Sequence, residues 1–333
     1  MLVQVGRNRR LRGPSRPEPL RRWIFYVNAP VSLLAALLAW RGLPADPARH
    51  DSNLDLTGLL LLSPALAVLL YGLTQAGTRS GFDRATVVVP LAAGALLLAA
   101  FVPHALRSAH PLIDLRLFTT RSFAASSALL FLSGLAMFGA MLLLPLHYEQ
   151  LRGRSVVTAG LLLAPQCLGS LLARGAGSIS DRIGPRPVVL VVITPTALGA
   201  LPFAYGGQHA NGLIPATALV IRGAGLSAAN MAVMVGAYRD LTPPQTPHAG
   251  STTRITQQVG GSFGAAVLAV ILQGQLASHP GVAGQEAAFD HTFNWALSFT
   301  ALAVFPALFL PGLPHKPARP ASGRNRDSSA PAR

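Results

Sequence analysis

The chain has 333 residues, 51% of them hydrophobic and only 12% charged, with a mean hydropathy of +0.44 and a formal net charge of +15. Roughly a quarter of a soluble domain is charged, so this chain has too little polar surface to cover a water-facing globule. Nor do the basic residues form a nucleic-acid face: all 27 are Arg except Lys316, and they scatter along the chain rather than gather on one helix.

A helix needs about 20 mostly apolar residues to cross a bilayer core. Nine such runs follow one another: 23–40, 57–77, 86–105, 122–147, 156–174, 187–206, 212–237, 256–275 and 292–313. All twelve acids (Glu18, Asp46, Asp51, Asp55, Asp83, Asp114, Glu149, Asp181, Asp240, Glu286, Asp290 and Asp327) fall between these runs or at their edges. A charge at the bilayer centre is costly, and this segregation avoids it. The two-residue alternation of a membrane barrel is missing. The sequence therefore predicts an all-α, polytopic membrane protein with about nine transmembrane helices.

The leader 1–22 carries Arg7, Arg9, Arg10, Arg12, Arg16, Arg21 and Arg22, with no apolar segment that would make it a secretory signal. Trp23 and Trp40 bracket the first run as interfacial anchors, about 26 Å apart along a helix. Pro64, Pro90, Pro145, Pro165 and Pro306 lie inside apolar runs and predict kinks. Lys and Arg accumulate on the cytoplasmic side of short loops. With the tail carrying Lys316, Arg319, Arg324, Arg326 and Arg333 placed there, that side also holds Arg41, Arg49, Arg107, Arg116, Arg121, Arg174, Arg182, Arg186, Arg239 and Arg254. The opposite side keeps Arg79, Arg84, Arg152 and Arg154. The C-terminus is therefore expected in the cytoplasm. Nine spans then put the basic leader outside, against the same rule, so the leader is read as foreign to the fold that follows.

Between two apolar runs stands GSISDRIGPRP (177–187). Gly184 allows a tight turn between antiparallel helices, and Pro187 suits a first helical turn. Asp181 can pair with an arginine and face the positive end of a helix, while Arg182 and Arg186 hold the loop in the cytosol. Together with Gly177 these residues form a candidate gate, a cluster that closes in one conformation and opens in the other. Arg222 is the one basic residue well inside a run; it faces a cavity or partner, or else snorkels to water from the outer third. Gly260, Gly261 and Gly264, with Ala265, make a small-residue stripe suited to close helix packing. His147 and Glu149 end a run and read as an interfacial polar collar, with proton handling as the alternative, because His titrates near neutral pH. Cys167 is the only cysteine, so there is no disulfide framework and no thiolate metal site. H-E-x-x-H, G-x-S-x-G and P-loop patterns are missing, which argues against an enzyme, a metal site, a cofactor and ATP-driven work.

From residue 22 onward the chain resembles the fourteen-helix drug:proton antiporter branch of the major facilitator superfamily. The resemblance is carried, in order, by RRWIFYVNAP (21–30), DLTGLLLL (55–62), HPLIDLRLFTTRSF (110–123), LPLHYEQLRGRSVVTAGLLLAPQ (144–166) and TRITQQVGGSFGAAV (253–267). Residues 177–187 are similar to the family's loop pattern G-x-L-x-D-R-x-G-R-[KR], from which Pro185 and Pro187 depart. Arg222 in IRGAGLSAAN (221–230) is similar to its R-x-x-x-G motif. The family builds two six-helix bundles, with two helices inserted between them, that rock around a midplane site. The resemblance implies that residues 1–22 are a leader outside the family pattern and 23–44 the last helix of the first bundle. Residues 45–110 would be the inserted pair, 111–313 a complete second bundle and 314–333 a disordered cytoplasmic tail. It implies a substrate cavity on runs 122–147, 156–174, 212–237 and 256–275. Candidates to line it are Gln166, Asn230, Gln257, Gln258 and Ser262, with Phe131, Met137 and Met141 as adaptable apolar surface. The expected activity is proton-coupled efflux of hydrophobic or cationic small molecules across the plasma membrane. The proton-carrying acid of the family lies in its early helices, so the chain reads as the C-terminal portion of such an exporter, lacking five helices. The alternative is a non-transporting remnant or an assembly partner of another transporter.

Overall fold

The computed structural model describes residues 19–42, 55–78, 84–108, 111–205, 213–242, 245–278 and 281–312, and no strand occurs among them. Residues 1–18 of the leader and the tail expected at 314–333 lie outside the described residues. The chain divides into two units, Met1–Asn53 and Leu54–Arg333. In the first, a single helix α1 (Pro19–Gly42) contains the expected run 23–40, and Trp40 projects from it, exposed.

In the second unit, α2 (Leu56–Thr78) and α3 (Ala85–Arg107) pack against each other as a hairpin. Side chains at Gly72 and Gly94 would press into Leu91 and Leu69, so both glycines set the approach of these two helices. Asp55 caps α2 by accepting the Gly58 N–H at 2.8 Å. A short 3-10 turn (Leu115–Thr119) then leads into α4 (Arg121–Leu146). Pro145 cannot donate within α4, and the helix widens into a π turn (His147–Leu151) just beyond it.

Ser155 caps α5 (Val156–Leu172), its Oγ accepting the Thr158 N–H at 3.3 Å. Three 3-10 residues (Ala173–Gly175) join α5 to α6 (Ala176–Ile183), and α7 (Pro185–Leu198) begins two residues later. The segment expected as a loop is thus helical down to Ile183. There follow α8 (Leu201–Tyr205), α9 (Leu213–Tyr238), α10 (Thr246–Ser278), α11 (Val282–Leu302) and α12 (Val304–Ala307).

By length and composition, seven described helices can cross a membrane: Leu56–Gln75, Ala85–Arg107, Arg121–Leu151, Val156–Ile183, Pro185–Tyr205, Leu213–Tyr238 and His248–Ser278. The run expected at 292–313 is helical too, but it starts at Val282 and breaks at Ala303. Gln285, Glu286, Asp290 and His291 make its first half polar, and Pro306 cannot donate to the Leu302 carbonyl one turn back.

In lipid, helices gain little from burying apolar surface against each other, so close packing and hydrogen bonds hold the bundle. α9 packs against α4, α5 and α7, and α10 runs along α4 and α2. At one end, where α4 begins and α6 and α9 finish, the core is Leu129, Leu130, Val189, Val233 and Leu310. At the other it is Leu143, Leu219, Leu268, Phe289 and Phe293. We call these the Gly184 end and the His147 end.

Candidate functional site: a polar junction and a gate segment

Helices α4, α6, α9 and α10 contribute to a shallow, open cavity of about 390 Å³ whose wall includes Leu130, Gly177, Asn230, Met231, Met234 and Gln257. In this wall the Asn230 Oδ1 accepts two hydrogen bonds, from Ser133 Oγ at 2.9 Å and from Gln257 Nε2 at 3.0 Å. One amide oxygen thus joins three helices, using both of its lone pairs. Glycine makes the junction possible: a Cβ at Gly134, beside Ser133, would collide with the Gln257 carbonyl oxygen. The cavity is otherwise apolar, and the two methionines give its wall adjustable shape.

Gly177 and Asp181 lie one turn apart on α6. Asp181 lines a neighbouring cavity of about 450 Å³ together with Ser180, Gly184, Tyr238 and Arg239, and Met234 contributes to both walls. Gly184 ends α6 with φ +91°, a left-handed conformation that favours glycine, and Pro185 opens α7 at once. Pro185, where the chain departs from the family pattern, takes the first helical position, and Pro187 lies in the same first turn, as expected. Asp181, Arg182 and Arg186 are exposed. The pairing expected for Asp181 is not formed: no ion pair to it occurs among the described residues, whereas Asp55 does pair with His104. Instead, buried Ser180 Oγ and Arg239 Nη1 lack partners beside it.

The remaining candidates are dispersed. Met137 and Met141 are exposed on α4, 41% and 69%, one and two turns along the helix from Ser133, and they do not line the Asn230 cavity. Phe131 lines a different cavity, between α4 and α12. Gln166 packs through its backbone: its carbonyl accepts Ser170 Oγ at 3.1 Å and abuts Gly223. Gln258 is exposed and Ser262 half-buried. Gly260, Gly261 and Gly264 face α4, where added side chains would strike the Phe131 carbonyl, the Phe138 ring and the Leu135 carbonyl. Arg222 is buried, not snorkelling: 5% exposed, it packs against Gly199 and donates through Nη2 to the Ala136 carbonyl at 3.2 Å.

The polar collar expected at His147 is corrected by the structure. His147 is 7% exposed, and the rings of Tyr148, Phe203, Phe289 and Phe293 surround it at 5.7, 6.2, 5.7 and 5.6 Å between centroids. Sequence reasoning also passed over Ser133, Met231, Met234 and Arg239. The readable signals were a Ser-Gly pair inside the leucine-rich α4 and two methionines within one turn of Asn230.

The sequence model of the Major Facilitator Superfamily matches residues 21–265. The chain is similar to the Multidrug resistance protein B homolog of Mycobacterium tuberculosis (strain ATCC 25618 / H37Rv), with 39% identity over 255 residues, 75% of this chain and 47% of the relative. It is similar to the Drug efflux pump JefA of Mycobacterium tuberculosis (strain CDC 1551 / Oshkosh), with 29% identity over 258 residues, 75% of this chain and 49% of that protein. The Lincomycin resistance protein LmrB of Listeria monocytogenes serovar 1/2a is 26% identical over 301 residues, 86% of this chain and 63% of its own. The chain spans about half the length of the mycobacterial relatives.

Proposed function

Because the chain belongs to the Major Facilitator Superfamily, a family of membrane transporters, we propose that it supplies the second helix bundle of a proton-coupled multidrug exporter of the fourteen-helix branch. The observation that carries this reading is the cavity at Asn230, with the two amides of Asn230 and Gln257 in an otherwise apolar wall and the Ser133 hydroxyl bonded to Asn230 behind it. Such a wall accepts varied apolar molecules and orients them by a few hydrogen bonds, and it discriminates weakly among them. The names of the relatives, which speak of multidrug resistance and drug efflux, support the same reading.

Hydrophobic or cationic drugs enter this cavity from one side, and the Gly177–Arg186 segment opens and closes the Gly184 end. That end faces the cytoplasm with the C-terminus, and the membrane is the plasma membrane. No carboxylate lines the Asn230 cavity among the described residues. The proton-carrying acid is therefore assigned to the part of the relatives that this chain does not cover, and the exposed Met137 and Met141 to the face that meets it.

The test is efflux from a bacterium lacking its own pumps. The chain is expressed alone, and fused to the portion of the mycobacterial relative that it does not cover. Ethidium extrusion is followed with and without a protonophore. The fusion is expected to extrude and to stop when the proton gradient collapses, with the chain alone inactive. Extrusion by the chain alone would overturn the placement of coupling. A fusion that is well expressed and inactive overturns the exporter reading in favour of a non-transporting membrane protein.

A further inference from the structure

Between α4 and the kinked end of α11–α12 lies a trough of about 550 Å³ on the outer surface of the bundle. Its floor is the small-residue face Ala124, Ala125 and Ala128, and Leu302 and Phe305 stand beside it, 56% and 66% exposed. The kink that opens the trough follows from Pro306, which breaks α11 from α12 at Ala303.

The trough is charged at one end only. Arg121 is the first residue of α4, and its guanidinium carbon lies 5.0 Å from the centre of the Phe309 ring. Phe309 in turn meets Phe305 edge to face at 5.3 Å. Every other wall residue is apolar, and the groove follows α4 to Leu132. The eleven helical steps from Arg121 to Leu132 rise about 16 Å, close to half the roughly 30 Å of a bilayer core. A cation at the rim and an apolar channel one leaflet deep have the dimensions of a single phospholipid.

We propose that this trough is a binding site for an anionic phospholipid, its phosphate on Arg121 and an acyl chain laid over Ala125 and Ala128. Arginine suits phosphate because it offers two parallel N–H donors. The same charge repels cationic drugs, which separates this site from the Asn230 cavity. The site needs only the membrane-embedded fold and does not depend on transport.

The test is lipid retention by the purified full chain, delipidated in detergent and supplied with dioleoyl phosphatidylglycerol or dioleoyl phosphatidylcholine. Bound lipid is counted by native mass spectrometry. About five-fold preferential retention of phosphatidylglycerol is expected, since one basic residue near a membrane surface attracts an anionic headgroup to that extent. Arg121→Gln, at an exposed position, should bring the two lipids level. Ala128→Phe, also exposed, should fill the trough and reduce retention of both. Arg154→Gln, at the His147 end, should keep the preference. An R121Q protein that still prefers phosphatidylglycerol overturns the assignment of the headgroup. Retention unchanged in A128F overturns the trough as the site, and equal retention of both lipids by the unaltered chain overturns the proposal outright.

Discussion

The ring Nε2 of His104 donates to Asp55 Oδ1 at 2.8 Å across 49 residues of chain, and so fastens the end of α3 to the start of α2. The same carboxylate accepts the N–H of Gly58 and, at 3.2 Å, that of Leu112. It therefore also fixes the segment leading to α4. Burial raises the pKa of Asp55, but the bonds from His104, Gly58 and Leu112 and the charge of His104 outweigh it, and hold the group below its ordinary 3.8.

A group with a lowered folded pKa stabilises the fold above its unfolded value, and that contribution is lost as pH falls through the folded one. Asp55→Asn should therefore cost about 1–2 kcal/mol at neutral pH. The gap between variant and unaltered chain should begin to narrow below about pH 4 and close as pH falls through the folded pKa. Thermal unfolding of both in detergent from pH 7 to pH 3 measures it. A gap that does not narrow at all between pH 5 and pH 3 would mean that Asp55 acts by shape rather than by charge.

Gly260 and Gly274 lie on the same helix and predict opposite outcomes. A Cβ at Gly260 would strike the Phe131 carbonyl, whereas one at Gly274 would meet nothing within 4 Å. Gly260→Ala must push α10 from α4 and should destabilise by about 1–3 kcal/mol. Gly274→Ala gains helix propensity and should stabilise by about 0.5–1 kcal/mol. Unfolding midpoints of the two proteins decide the matter, and a neutral G260A would show that the α4–α10 contact gives way easily.

The spans of α4 and α9 were readable to within a residue or two, because each is a long apolar run between polar ends. Which way a helix faces was not readable. α4 is apolar on every side, so nothing in its sequence told exposed Met137 and Met141 from buried Leu130, although all three lie within one broad face of the helix. Long-range partnerships were hidden for a different reason. The box around His147 draws Phe203 from α8 and Phe289 and Phe293 from α11, residues that meet only once the bundle has formed. The start of α11 escaped because Glu286 and Asp290 lower its hydropathy without stopping the helix.

Arg222 is buried with one hydrogen bond, to a carbonyl that lies inside helix α4, and among the described residues it has no carboxylate partner. Replacing a buried charge by an apolar side chain of similar volume is often neutral or stabilising. Arg222→Met should therefore leave the unfolding midpoint unchanged or raise it. A loss of more than about 1 kcal/mol would instead make the Ala136 bond a strut between α9 and α4.

The junction at Asn230 makes the sharpest demand, because one oxygen serves two donors. Asn230→Leu removes both bonds and leaves Ser133 and Gln257 facing apolar atoms, at a cost of about 2–4 kcal/mol. Ser133→Ala and Gln257→Ala each remove one bond and leave the other, so each should cost about 1 kcal/mol. Since the two donors share an acceptor, the double variant S133A/Q257A should depart from the sum of its parts by about 0.5 kcal/mol or more. In the fused exporter, N230L should change which drugs are extruded rather than whether extrusion occurs, because the apolar wall of Leu130, Met231 and Met234 survives. Unfolding midpoints combined with a panel of resistance measurements separate these effects. A uniform loss of resistance to every compound, with the fold intact, would show that Asn230 serves the moving parts of the transporter rather than its binding surface.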